Sequence, residues 1–236
     1  MLFRSRTRHS TFTGFLQWDR EQGLGSDQLQ GQAAGRGLSL PFDTIRTIAR
    51  RSTRSSLVTL HDGRQFELSG TRATGEDNLG IYVDDPRYGR VLVSWNAFEQ
   101  VDFTPGGAGP AYGDFPPGHP LTATITTFDG RRLAGRLVFD LDESETTETL
   151  DAPYQGIDYT VSFGFIASIF LPTPEDRESP PARVTLRSGE QLQLTCAGDL
   201  GKTNAGLLVF IHGNPRPSYV PWPEVAQIDL APQPQP

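Results

Sequence analysis

The sequence predicts an all-β protein, internally duplicated as A-B-A′-B′, with small barrel units of about 50 residues each. Three observations predict it. Gly 25 and Pro 19 against 36% apolar residues suit many short strands and turns. Apolar and polar residues alternate in short runs, as in "ATITTFDGRRLAGRLVFD" (123–140). Long stretches of the chain also repeat.

The repeat comes first because it sets the domain plan. A shift of 126 lays "VTLHDGRQFELSGTRATGEDNLGIYV" (58–83) on "VTLRSGEQLQLTCAGDLGKTNAGLLV" (184–209) without a gap. Val58/Val184, Leu60/Leu186, Gly63/Gly189, Asn78/Asn204 and Gly80/Gly206 are among the identities. One more residue of insertion brings Trp95 onto Trp222 and Asp102 onto Asp229. A shift of 121 lays "TGFLQWD" (13–19) on "AGRLVFD" (134–140) and "LPFDTIRTI" (40–48) on "VSFGFIASI" (161–169). The expected plan is A at 1–54, B at 55–104, a Gly/Pro linker at 105–120, A′ at 121–172, a linker at 173–182, B′ at 183–231 and a disordered tail at 232–236.

Within each unit the elements follow in order. Asp62-Gly63, Asp129-Gly130 and Ser188-Gly189 each sit between alternating runs and predict hairpin turns, because glycine supplies a positive φ. Each unit ends on an aromatic followed by apolar residues at three-residue spacing: "FDTIRTI", "WNAFEQV", "FGFIASI", "WPEVAQI". That spacing predicts one 3₁₀ turn leading into a last short strand. A piece of this size is small for a core of its own, so neighbouring units are expected to pack together or complete each other's sheets.

The "TLHDGRQFELSG" and "TTFDGRRLAGRL" openings, together with those endings, resemble Sm-like and SH3-like small barrels over most of the chain outside the linkers. The resemblance implies the fold. Sm-like proteins hold RNA with a loop Asn and a late basic R-G or K-G pair, and these units have no such pair, so RNA binding does not follow.

Charge narrows the partners. The net charge is −7, with nine Arg against four acidic residues in 1–55 but four basic against twelve acidic in 111–180. An acidic surface repels phosphate backbones, so a nucleic-acid partner is disfavoured. A single Cys, Cys196, excludes an internal disulfide and a CxxC zinc site. His9, His61, His119 and His212 form no HxxxH or HxH spacing. "DLGKTN" (199–204) carries Gly-Lys-Thr, but a phosphate loop needs a glycine where Cys196 stands. No GxSxG elbow is present. No cofactor and no catalytic residue is assigned.

The acidic run "DLDESETTETLD" (140–151) reads as a solvated hairpin tip, with Asp140, Asp142 and Glu143 the first ligands to test for a hard cation such as Ca²⁺. No apolar run reaches the ~18–20 residues that cross a bilayer. The start "MLFRSRTRHSTF" lacks the apolar region of a signal peptide. A soluble chain is expected, cytoplasmic, or extracytoplasmic if an upstream leader has been removed. The expected activity is non-enzymatic: a binding or scaffold protein that meets a protein partner, or itself, through exposed strand edges. A nucleic-acid binder of Sm-like descent and a Ca²⁺-dependent extracytoplasmic module or enzyme are the alternatives. Trp18, Tyr88, Trp95, Tyr219 and Trp222 are the candidate partner-binding residues, the tryptophans having barrel plugs as their competing role.

Overall fold

A computed structural model describes residues 2–7, 10–104, 117–176 and 180–232. The expected linker residues 105–116 and 177–179 and the tail residues 233–236 lie outside the described residues. The described chain is all-β and antiparallel, and its helical turns are three-residue 3₁₀ turns. It divides into two compact units: residues 1–110 with 155–158, and residues 111–154 with 159–236.

Residues up to 110 supply β1 (Leu2–Thr7), β2 (Thr11–Gln17), β3 (Gln28–Ala33), β4 (Arg36–Pro41), β5 (Ile45–Arg50), β6 (Ser55–Leu60), β7 (Gln65–Ser69), β8 (Ile81–Asp85), β9 (Gly89–Val93) and β10 (Phe98–Thr104). Along the ladder their order is β9-β8-β2-β1-β10-β5-β6-β7-β3-β4. Strands from residues 1–54 therefore alternate with strands from 55–104. β10 lies between β1 and β5, β6 beside β5, and β8 beside β2. Neither half forms a sheet alone.

The later residues supply β11 (Thr122–Thr127), β12 (Arg132–Val138), β13 (Thr149–Tyr154), β14 (Ile157–Ser162), β15 (Ile166–Phe170), β16 (Ala182–Leu186), β17 (Gln191–Leu194), β18 (Leu207–Phe210), β19 (Ser218–Val220) and β20 (Val225–Leu230). A ladder runs β17-β16-β15-β20-β11-β12-β18-β19, with β20 between β11 and β15.

The turns follow their sequences. At Asp62-Gly63, Leu60 N donates to Arg64 O (2.9 Å) and Gly63, at φ 89°, donates to Leu60 O (3.0 Å). This is a three-residue loop closed by a left-handed glycine. The same pair of bonds recurs at Thr127/Arg131 and Leu186/Glu190. The two-residue turns lie elsewhere, at Ala34-Gly35 (φ 49° and 76°) and Gln155-Gly156 (φ 52° and 79°). Three-residue 3₁₀ turns precede β5, β15 and β20, and a hydrogen-bonded turn at 95–97 precedes β10. This is the aromatic-led ending that the spacing predicts.

The core of the first unit gathers Phe12, Trp18, Leu29, Phe42, Ile45, Ile48, Leu68, Ile81 and Phe98, all buried. In the second, Phe139, Leu150, Phe163, Ile166, Val184, Leu207, Trp222 and Ile228 are buried. Close strand crossings demand glycine at two positions. A Cβ at Gly14 would overlap the Asp84 carbonyl, and one at Gly135 would overlap the Phe210 carbonyl. Gly14→Ala and Gly135→Ala are each expected to cost about 1–3 kcal/mol of stability, the range for overpacking. Gly37→Ala, which meets open space, should stay within about 0.5 kcal/mol. Urea denaturation of the three variants checks both halves of this statement.

Candidate functional site

The candidate contact residues divide sharply. Trp18, Trp95, Trp222 and Tyr88 are 0%, 3%, 1% and 5% exposed, whereas Tyr219 is 54% exposed. Trp18 stands edge-on to Phe98 (5.3 Å between centroids) and Trp95 (6.3 Å), and its Nε1 donates to Ala73 O (2.9 Å). Trp95 Nε1 donates to Thr53 O (3.1 Å). Trp222 packs edge-on to Phe139 (5.6 Å). Tyr88 lies edge-on to Phe12, with the Arg87 guanidinium 4.5 Å from its centroid. A ring buried this way has no face to offer a partner. These four lie in the core, where aromatic area favours burial and the indole N–H groups of Trp18 and Trp95 each reach a backbone carbonyl. Tyr219 alone stays at the surface, on β19, with its hydroxyl donating to Ala205 O (2.8 Å).

The densest chemistry lies in the second unit at an acidic corner. β12 ends in a tight reversal in which Phe139 bridges Glu143, with Asp140 (φ 48°) and Leu141 (φ 69°) left-handed between them. Asp140 accepts a hydrogen bond from Ala205 N. Asp199, from the 3₁₀ turn Gly198–Leu200 after β17, accepts from Asp151 N (2.6 Å) on β13. The sequence points to Asp140, Asp142 and Glu143. Asp151 and Asp199 join them only through folding, because Asp199 follows Asp140 by some 60 residues along the chain.

Burial pushes the Glu143 carboxyl up to about 8, helped by its hydrogen bond to Asp142 and by that residue's charge. Asp199 is raised as well, first by burial and then by the charges of Asp151, Asp140 and Asp142. No basic side chain pairs with these groups among the described residues.

The matching corner of the first unit is neutralised. There the reversal runs from Trp18 to Gln22, again with two left-handed residues, Asp19 and Arg20. Arg72 Nε pairs with Asp19 at 2.7 Å and its NH2 with Glu21 at 2.6 Å, and Leu79 N donates to Asp19 at 2.7 Å. By the 126 shift, Arg72 falls on Gly198. A Cβ at Gly198 would overlap the Asp151 carbonyl, and its φ is 59°. The close approach of β13 leaves no room for the arginine's counterpart.

Among the described residues no group of three or more His, Cys, Asp or Glu is arranged to hold a metal ion. No helix there is long and apolar enough to cross a membrane. The Gly-Lys-Thr stretch lies in the turn following the 198–200 3₁₀ segment, where Asn204 Oδ1 accepts from Gly206 N (2.8 Å). No protein-family model, curated protein or solved structure matches the chain.

The raised Glu143 has a signed consequence. The folded state keeps a proton there that the unfolded chain releases near the ordinary carboxylate range. Its contribution is most favourable at low pH and is lost as pH climbs toward 8. Thermal melts at pH 5 and pH 9 should show Glu143→Gln gaining on the parent at the higher pH. An equal difference between the two proteins at both pH values would refute it.

Proposed function

We propose that this chain is a non-enzymatic binding or scaffold protein, formed by duplication of an A-B pair, that receives an extended strand from a protein partner along the edge of β4. The observation that carries this reading is the inequality of two end strands. β4 ends the ladder of the first unit, and its only ladder partner there is β3. Ala33 and Arg36 flank the two-residue turn, so Arg36, Leu38 and Leu40 bond to β3. The N–H and C=O groups of Gly37 and Ser39 then face outward, and both residues are exposed. Between Arg36 and Leu40 there is no proline, lysine or bulge to blunt the edge.

β19, at the end of the other ladder opposite β17, has three residues bracketed by Pro217 and Pro221. Proline lacks the donor that a joining strand needs, so this edge is closed to extension.

The duplication half of the proposal draws support from strain as well as from identities. Among the described residues, all six non-glycine residues with positive φ fall in pairs at the 121 shift: Asp19/Asp140, Arg20/Leu141 and Ala34/Gln155. Asn78 and Asn204 make the same two bonds, accepting from Gly80 N and Gly206 N and donating to Ala73 O and Asp199 O. Such positions are costly outside glycine, so their coincidence favours common descent. The resemblance to SH3-like and Sm-like units belongs to the same reading, resting on the Gly-closed first hairpin and the 3₁₀ turn before the last strand of a segment.

Ser39→Pro removes one outward donor and leaves the β3–β4 bonds in place. With immobilised parent and variant of equal melting temperature, a protein retained by the parent should be lost by the variant. If the partner is a second copy, light scattering should show a parent oligomer that Ser39→Pro dissolves. Identical capture together with monomers from both proteins would overturn the proposal.

A further inference from the structure

A cavity of about 350 Å³ opens in the second unit, lined among others by His119, Leu121, Thr146, Phe163, Arg187 and Leu230. Its volume sits at the small end of the range of about 300–1,000 Å³ found for small-molecule sites. Leu121, Phe163 and Leu230 are buried and give it an apolar floor. The hydroxyl of Thr146 accepts from His119 N (2.9 Å), which ties the segment before β11 to the cavity wall.

Among the described residues, Arg187 is the one arginine or lysine lining this space. Its backbone N–H donates to Phe165 O (2.8 Å), fixing the turn after β16. Its guanidinium is held in place by two carbonyls: Nε donates to Gly164 O (3.0 Å) and NH2 to Ala231 O (2.7 Å). These bonds use two of the five N–H donors of an arginine. No carboxylate among the described residues pairs with it. The side chain is exposed by area, yet burial of its charge lowers its affinity for the proton, with no acidic neighbour to offset the effect. A preoriented, partly desolvated guanidinium without a counter-charge, set over an apolar floor, is complementary to a planar anion carrying an apolar body. The feature is confined to one copy. By the 126 shift, Arg187 falls on His61.

We propose that this cavity binds a small organic carboxylate with an apolar body, the carboxylate on the Arg187 guanidinium and the body over Leu121, Phe163 and Leu230. A carboxylate is favoured over a phosphate because a single planar cation lines the cavity, with no lysine and no second arginine.

The experiment titrates the full chain with 3-phenylpropionate, and in parallel with the neutral 3-phenylpropanol, following backbone amide resonances. Saturable shifts centred on Leu121, Phe163 and Ala231 are expected with the acid, with affinity about tenfold weaker for the alcohol. Arg187→Met keeps the apolar stem and removes the charge. It should bring the acid down to the affinity of the alcohol. The comparison of acid and alcohol on the parent stands even if the variant does not fold. Equal affinity for acid and alcohol, saturable shifts mapping elsewhere, or no saturable shift at all would each overturn the proposal.

Discussion

The clasp of β10 between β1 and β5 is the constraint on which the first unit depends. On one side β10 pairs with β1 from Leu2↔Thr104 to Thr7↔Phe98. On the other it pairs with β5 at Gln100↔Ala49, Val101↔Ile48 and Asp102↔Thr47. The strand nearest the start of the chain and one about a hundred residues later are thus held in a single register. That register sends Phe98, Val101 and Phe103 inward, beside Trp18, Ile48 and Phe42. A slip of one residue would turn all three outward, because side chains alternate across a strand. β20 repeats the clasp between β11 and β15, with Ile228 opposite both Ile125 and Ile169. A segment of some 50 residues encloses little core of its own, and shared strands let two such segments make one. The cost is contact between residues distant in sequence, which slows folding.

Much of this was legible in the sequence, for local reasons. Gly63, Gly130 and Gly189 mark their hairpins because a left-handed residue is needed at a fixed offset from the paired strands. The Phe42, Phe163 and Trp222 endings mark their 3₁₀ turns because the three-residue spacing is itself the period of the turn. The interleaving of strands was not legible. Alternation identifies a strand and its buried face, but it carries no information about which of several similar strands lies alongside. The tryptophans show the same limit. Repetition at Trp95 and Trp222 marks importance without saying whether packing or recognition is served. In the described structure both are buried.

The acidic corner lacks a compensation that the first unit has. Asp19 is 2% exposed at its side chain and pairs with Arg72 and the Leu79 amide. A buried carboxylate without such a partner holds its proton or costs stability. In the second unit the backbone of β13 comes so close to residue 198 that only glycine fits. Residue 198 is glycine, so no arginine stands here, and burial first, then neighbouring carboxylates, raise Glu143 and Asp199. Nothing in the run 140–151 signals this, because the missing charge belongs to a residue nearly 60 positions later.

The two end strands, finally, bear on how many copies of such a chain can join. If β4 and β19 both presented open edges, unlike ends could pair from one copy to the next without closing, the arrangement that yields filaments. Pro217 and Pro221 withhold donors at β19 and keep that strand to three residues. With β19 blunted in this way, pairing of β4 in one copy with β19 in the next is disfavoured. On the proposed reading, the β4 edge then takes a second β4 about a two-fold axis or a strand from another protein.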